Sequence, residues 1–260
     1  MRALYPSLQD RVVFVSGGAS GIGSALVTAF ASQGARVGFV DVDPAGAGLA
    51  ARLNAELRPR WQTQDIDRVH FSQCDVTDTP ALQASVQAAR AALGRIGVLV
   101  NNAANDTRHT LASLSPEFFD QAVAVNLKHQ FFAAQAVLPD LVALGGGSII
   151  NLGSTSWMIK ASGFPVYASC KAAVRGLTRA LARDLGKHNI RVNTLVPGWV
   201  MTPRQRQLWV TPDSEREIDA AQCLPGRLHE DDVSALALFL AADDSAMCTA
   251  QDFIVDAGWS

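Results

Sequence analysis

No run of apolar residues in this 260-residue chain is long enough to cross a bilayer; the richest, Val233 to Ala242, falls well short of a spanning helix. Met1 to Asp10 lacks the apolar core of a signal peptide, so a soluble, cytoplasmic protein with no membrane partner is expected. Lys and Arg nowhere gather into a basic stripe. The 22 of them stand against 24 Asp and Glu, a net charge of −2, which offers little to neutralise a phosphate backbone, and no nucleic-acid partner is expected. Cys74, Cys170, Cys223 and Cys248 include no Cys-x-x-Cys pair and read as buried free thiols. His70, His109, His129, His188 and His229 lack metal-ligand spacing such as His-Glu-x-x-His, so no metal is expected. Charged residues are only 18% against 48% hydrophobic, which argues against disorder, and 20 Gly and 11 Pro are too scattered for a fibrous repeat. Without linker or repeat, residues 1–260 read as one domain.

What is present is an alternation. Short apolar or β-branched runs at Val12 to Ser16, Arg36 to Asp41, Val69 to Cys74, Val98 to Asn102, Ser148 to Leu152, Arg191 to Val196 and Phe253 to Asp256 are separated by helical patterns near 21–33, 44–57, 79–93, 116–143, 166–186 and 230–242. Such βαβ units predict an α/β fold: a doubly wound, seven-stranded parallel sheet with helices on both faces. Asp78-Thr79-Pro80 and Ser115-Pro116-Glu117 mark helix starts. Trp199 to Arg227 breaks the alternation and is expected to form a lid over a site.

The first strand runs into Ser16-Gly17-Gly18-Ala19-Ser20-Gly21-Ile22-Gly23. Gly17, Gly21 and Gly23 permit a tight turn and close approach of a pyrophosphate to a helix N-terminus, with Ser20 and Ile22 beside it. Glycine-rich turns are common, and it is the strand–turn–helix context that gives this one weight. Asp41 ends the second strand 18 residues after Gly23, where a carboxylate can accept from ribose hydroxyls and would repel a 2′-phosphate. Ser20 and Val42 are neutral, which favours NAD over NADP. Asp75 and Val76 could face the adenine edge, or Asp75 could cap the following turn.

Tyr167 and Lys171 are four apart in a predicted helix, so both emerge on one face. A free phenol titrates near ~10; a neighbouring ammonium that lowered it by about 3 kcal/mol would make it a usable base. Ser154 follows the fifth strand, 13 residues upstream of Tyr167, where its hydroxyl could orient a substrate oxygen. Asn126, inside the long helix, is either a candidate to hold a water beside Lys171 or a satisfied packing amide.

Gly17-x-x-x-Gly21-Ile22-Gly23, Asn101-Asn102-Ala103-Ala104, Asn126, Ser154, Tyr167-x-x-x-Lys171 and Pro197-Gly198-x-x-x-Thr202 together resemble the short-chain dehydrogenase/reductase family over essentially the whole chain. The resemblance implies a single Rossmann domain, Asn126, Ser154, Tyr167 and Lys171 as a catalytic tetrad, and hydride transfer to a nicotinamide. It also implies Asn102, Tyr167 and Lys171 near the cofactor ribose, Val200 and Thr202 near the carboxamide, and a homotetramer with the helices near 116–143 and 166–186 between subunits. Ala104 and Ser16 depart from the usual Gly and Thr, both small.

Asn105-Asp106-Thr107-Arg108-His109 places polar groups at the sheet's carboxyl edge, suited to a hydroxyl-rich substrate. Ser156 lies close by, Trp157 could lie against a sugar ring, and Trp199, Arg204 and Trp209 come from the presumed lid; Arg108 and Asp106 could instead form a surface ion pair. Tyr5-Pro6-Ser7-Leu8, Gly153-Ser154-x-Ser156-Trp157, Gln222-Cys223-Leu224 with Gly226-Arg227, and Asp256-Ala257-Gly258-Trp259 are similar to bacterial aldose 1-dehydrogenases of the xylose, galactose, arabinose and fucose type. That similarity implies oxidation of a monosaccharide's anomeric hydroxyl to a lactone. The alternatives are oxidation of a secondary hydroxyl of a deoxy sugar acid, with Arg108 or Arg204 on its carboxylate; a carbonyl reductase; and a dinucleotide sensor without chemistry, against which the filled tetrad speaks.

Overall fold

Val13 and Val15 pack to one side of their strand, Val12 and Phe14 to the other, and all four are buried. A strand with no wet face must lie between two covering layers. The structure is a computed structural model describing residues 3–61 and 67–260. Its strands are β1 (Val12–Ser16), β2 (Arg36–Asp41), β3 (Val69–Gln73), β4 (Ile96–Asn101), β5 (Gly147–Leu152), β6 (Ile190–Pro197) and β7 (Asp252–Val255). They pair in parallel in the order β3-β2-β1-β4-β5-β6-β7, so the order reverses between β1 and β4, where α/β sheets open a crevice at their carboxyl ends.

The helices are α1 (Gly21–Ser32), α2 (Gly46–Trp61), α3 (Thr79–Leu93), α4 (Pro116–Val123), α5 (His129–Ala143), α6 (Pro165–Leu185), α7 (Pro203–Leu208), α8 (Pro212–Ala221) and α9 (Glu230–Ala241). Leu26 and Phe30 of α1, Leu53 of α2 and Leu238 of α9 build the core on one face of the sheet; Val86 of α3, Val137 of α5 and Ala182 of α6 build it on the other. Asp78 and Ser115 cap α3 and α4 by accepting from Ala81 N and Phe118 N, each with proline in the first turn, as their sequences predict.

Two expectations need correction and one gains detail. The helix expected over 116–143 is interrupted by a π-helical turn at Ala124–Lys128, which carries Asn126 fully inside. The Trp199–Arg227 segment contains two helices, α7 and α8, started by Thr202-Pro203 and Thr211-Pro212, the same cap-plus-proline pattern that marks α4. Cys74 and Cys170 are buried, but Cys223 is exposed and Cys248 only half-buried, because both lie in surface turns near the C-terminus. Among the described residues no helix is long and apolar enough to cross a membrane.

At the carboxyl ends the buried row changes character. Ser16, Asn101, Asn151 and Thr194 stand in register across β1, β4, β5 and β6. Asn101 Nδ2 donates to Asn151 Oδ1 (2.8 Å), Asn151 Nδ2 to Thr178 Oγ1 (2.9 Å), and Thr194 Oγ1 to the same hydroxyl (3.0 Å). This seam joins the strand ends to α6, the helix carrying Tyr167 and Lys171, and charges the positional freedom of α6 with the loss of buried hydrogen bonds.

Candidate active site

The glycine-rich turn is held from β4. Ser16 Oγ accepts from Asn102 N (3.0 Å) and Ala103 N (3.1 Å), while Asn102 Nδ2 donates to Ser16 O (3.1 Å) and Gly17 O (2.7 Å). A serine is therefore enough at position 16. Gly17 has φ +70°, and a Cβ there would lie 2.8 Å from Ala103 Cα; a Cβ on Gly23 would overlap the Gly17 carbonyl oxygen. Only backbone fits, which leaves a cradle. Whereas α3, α4, α7 and α8 are capped by side chains, Ser20 makes no side-chain cap at α1, so the first N–H groups of α1 are not taken by its capping residue.

That cradle opens on a cavity of about 570 Å³ lined by Gly17, Ser20, Gly21, Ile22, Gly23, Asp41, Asp75, Val76, Asn102, Tyr167 and Thr202 among others. Asp41 accepts from Ala19 N (2.9 Å) and Asp43 N (3.0 Å), fixing the loop while its side chain stays at the cavity wall. Asp75 Oδ1 accepts from Thr77 N (2.9 Å), so the turn-capping role is present and the residue still lines the cavity. Val200 and Lys171 line an adjoining cavity of about 370 Å³ that shares Ile22, Asn102, Asp106, Tyr167, Thr202 and Gln205 with the first. All the residues expected to bind the cofactor thus line one or other of two adjoining cavities, and the backbone cradle fits a pyrophosphate.

The catalytic candidates meet at the shared wall. Lys171, 2% exposed, donates from Nζ to the Leu152 carbonyl (2.7 Å) at the end of β5, and the ammonium lies 5.6 Å from the Tyr167 ring centre. Burial pulls Lys171 down to about 8. The expected lowering of the phenol by this ammonium is not what the structure shows. Burial instead pushes Tyr167 up to about 12, opposed by its hydrogen bond with Ser154, because a phenolate in this groove loses more to desolvation than it gains from a lysine engaged elsewhere. Ser154 Oγ also accepts from Ser156 N (3.1 Å).

The Asn126 side chain is engaged with the loop after β4. Its amide donates to Asn105 O (3.0 Å) and Ala122 O (2.9 Å) and accepts from Asn105 N (2.9 Å), so it is a staple for the loop after β4. These bonds fit the packing alternative and matter for the site, since that loop carries Asp106 and Arg108. His109 buttresses the same loop: Nδ1 lies 3.0 Å from Thr107 O, and Nε2 accepts from Val166 N (3.3 Å) at the start of α6.

Of the substrate candidates, Asp106, Arg108, Ser156 and Trp199 line the 370 Å³ cavity, and Asn105 and Arg204 line the larger one. Trp157 lines neither; its ring centre lies 6.0 Å from the Arg175 guanidinium. Trp209 also lines neither cavity; its ring centre is 5.0 Å from the Arg108 guanidinium. The Arg108–Asp106 pair is replaced by another: Asp106 accepts from Gln205 Nε2 (2.8 Å) and faces Arg204 (3.6 Å). Sequence reasoning missed Gln205, Phe164, Glu217 and Trp259 as wall residues. Trp259 stacks with Trp199 (centres 6.4 Å, 30°), and Trp199 Nε1 donates to Gln205 Oε1 (3.0 Å). The only signal for Trp259 was the C-terminal Gly258-Trp259; Gln205 and Glu217 lie in the segment expected to form a lid, and nothing local marked Phe164.

A family model described as enoyl-(acyl carrier protein) reductase matches residues 17–260. A probable galactose dehydrogenase, GalD, of Rhizobium meliloti (strain 1021) is 45% identical over 254 residues, 98% of this chain and 96% of the relative. A D-xylose 1-dehydrogenase of Caulobacter vibrioides is 43% identical over 258 residues, 99% of this chain and 98% of the relative. Among solved structures, a blue fluorescent protein from a metagenomic library in complex with NADPH superposes with a TM-score of 0.86 at 30% identity, covering 98% of this chain and 99% of that one.

Proposed function

The chain belongs to the short-chain dehydrogenase/reductase family, and from that premise we propose that it oxidises the anomeric hydroxyl of a neutral aldose to the lactone with NAD. It is an oxidoreductase acting on CH–OH groups. The observation that carries the finer reading is a cavity, walled by both polar and apolar groups, in which Tyr167, Ser154 and Lys171 share walls with two carboxylates, Asp106 and Glu217, and a second cation, Arg108. Balanced charge with many donors and acceptors suits an uncharged polyol better than an acid or an acyl chain.

When bound, the nicotinamide supplies the hydride acceptor. Gly17, Ser20, Gly21, Ile22 and Gly23 hold its phosphates, Asp41 the adenosine ribose, Asp75 and Val76 the adenine, Asn102 the turn itself, and Val200 and Thr202 the carboxamide end. Val42 and Ser20 offer no cation beside Asp41, where a 2′-phosphate would meet a carboxylate, which supports NAD over NADP. Ser154 orients the substrate oxygen, Tyr167 accepts its proton, and Lys171 holds positive charge beneath the phenol. Asp106, Arg108, Ser156, Trp199 and Trp259 read the sugar. Residues 1–260 act as one domain, and exposed Phe119 and Phe131 on α4 and α5 fit burial in a homotetramer.

Mixing the protein with NAD and a panel of aldoses, and following the absorbance of the reduced nicotinamide, tests this reading. Turnover with pentoses or hexoses is the expected result, and Tyr167→Phe abolishes it while retaining NAD binding. Turnover confined to sugar acids, or to NADP, would overturn the corresponding part.

A further inference from the structure

Gln205 lines both of the adjoining cavities, and its amide is engaged at both ends. Trp199 Nε1 donates to Oε1 (3.0 Å), while Nε2 donates to Asp106 Oδ2 (2.8 Å) on the loop after β4. An indole N–H can only donate and an ionised carboxylate can only accept, so a group between them must accept at one end and donate at the other. A carboxamide does both. Trp199 and Asp106 line the 370 Å³ cavity, and Trp199 stacks with Trp259 in its wall. The backbone at 205 is fixed independently of the side chain: Gln205 N donates to the Thr202 cap (3.2 Å), and Gln205 O accepts from Trp209 N (2.9 Å) and Val210 N (3.0 Å). Helix α7 thus has its own hydrogen bonds, and the side chain is left to place two groups of the cavity wall.

We propose that Gln205 is a positioning residue that sets sugar specificity: its amide holds the Asp106 carboxylate and the Trp199 ring in the arrangement that reads the sugar's hydroxyl groups. The proposal deepens the reading of the chain as an aldose dehydrogenase and rests on it. Asp106 has a second neighbour in Arg204 (3.6 Å), but that side chain is 54% exposed and also reaches Asn105 Oδ1 (3.4 Å), so its hold is loose and screened. The Gln205 bond is shorter and directional, and a hydrogen bond to an ionised group is the stronger kind. One carboxylate oxygen is spent on Gln205, and the other keeps lone pairs for a sugar hydroxyl. Epimeric sugars differ only in where one hydroxyl points, so telling them apart needs an acceptor that does not swing. Without the amide, Asp106 is free to turn towards Arg204 and solvent, and the Trp199 N–H loses its acceptor.

The test is steady-state kinetics at saturating NAD on a panel of epimeric aldoses for the wild type, Gln205→Met and Gln205→Glu, with NAD affinity and Tm measured on the same preparations. Gln205→Met keeps length and helix propensity but neither hydrogen bond. KM for the preferred aldose rises about ten-fold and preference over its epimer falls about ten-fold, while kcat, NAD affinity and Tm stay near wild type. Gln205→Glu still accepts from Trp199, yet meets Asp106 oxygen to oxygen and bridges it only when one of the two carries a proton. The titratable groups of the sugar cavity, Asp106, Arg108, Tyr167, Lys171 and Glu217, and Arg204 beside Asp106, are common to all three proteins, so the ratio of variant to wild-type KM isolates position 205. For Gln205→Glu that ratio is near one at about pH 5 and climbs about ten-fold towards about pH 8 as the shared proton is lost. A role confined to folding would instead lower Tm and shift every sugar alike at every pH. That outcome, an unmoved KM in Gln205→Met, or a pH-independent ratio in Gln205→Glu overturns the proposal while the wild type's turnover keeps the aldose reading. A wild type that oxidises no aldose removes both.

Discussion

Replacing Asn126 with alanine separates a staple from a chemical relay. The side chain is 0% exposed and makes three hydrogen bonds, two of them to the backbone of Asn105. Truncation leaves Asn105 N–H, Asn105 C=O and Ala122 C=O without this partner. A buried orphan costs about 1–3 kcal/mol, and water reaches Asn105 from its exposed side, so the loss is about 2–3 kcal/mol. For a chain of this size that lowers Tm by about 5–10 °C. The loop bearing Asp106 and Arg108 loses its seat at the same time, so kcat/KM for the sugar falls about ten-fold or more, whereas NAD affinity stays near wild type because the glycine turn is held independently by Asn102. Thermal unfolding of the cofactor-free protein, NAD titration and steady-state kinetics on one preparation check all three. A Tm within 1 °C of wild type combined with loss of turnover would refute the reasoning, since the amide would then act in the reaction rather than in holding the loop.

Two further outcomes follow from the same geometry. His129 is buried, with Nε2 3.4 Å from Ser16 Oγ, and burial, with Lys171 nearby, pulls it down to about 3. Between its ordinary value and 3 the unfolded chain takes a proton that the folded chain refuses, so stability is lost as pH falls from about 6.5 towards 3, by up to about 5 kcal/mol; His129→Gln flattens that decline in urea midpoints measured against pH, and an unchanged slope counts against it. Trp259→Ala raises KM for the sugar about ten-fold through loss of an aromatic wall, while Trp157→Phe leaves KM unchanged. Equal effects of the two in steady-state kinetics would mean that the aromatic wall is misassigned.

Much of the architecture was written locally. Double-sided apolar strands such as Val98-Leu99-Val100 can only be central, and Ser115-Pro116 and Asp78-Thr79-Pro80 start helices wherever they occur, since cap and proline act within one turn. The same rule applied to Thr202-Pro203 and Thr211-Pro212 would have found α7 and α8. The glycine spacing foretold a cradle because its requirement is steric and short-ranged. The π-turn at Asn126 had no such signature. It is fixed by the reach of a buried amide to a loop 21 residues away.

The amino-acid order by itself determined the layered sheet, the phosphate cradle and the four-residue spacing that puts Tyr167 and Lys171 on one helix face, because each depends on periodicity or on contacts within a turn. Tertiary structure alone decided where the charges act. It sent the Lys171 ammonium to the Leu152 carbonyl, set Trp157 beside Arg175, gave Asp106 to Gln205 and Arg204, and brought Trp259 from the end of the chain to the wall. Electrostatics and stacking depend on distance in space and on exclusion of water, and neither is encoded in separation along the chain.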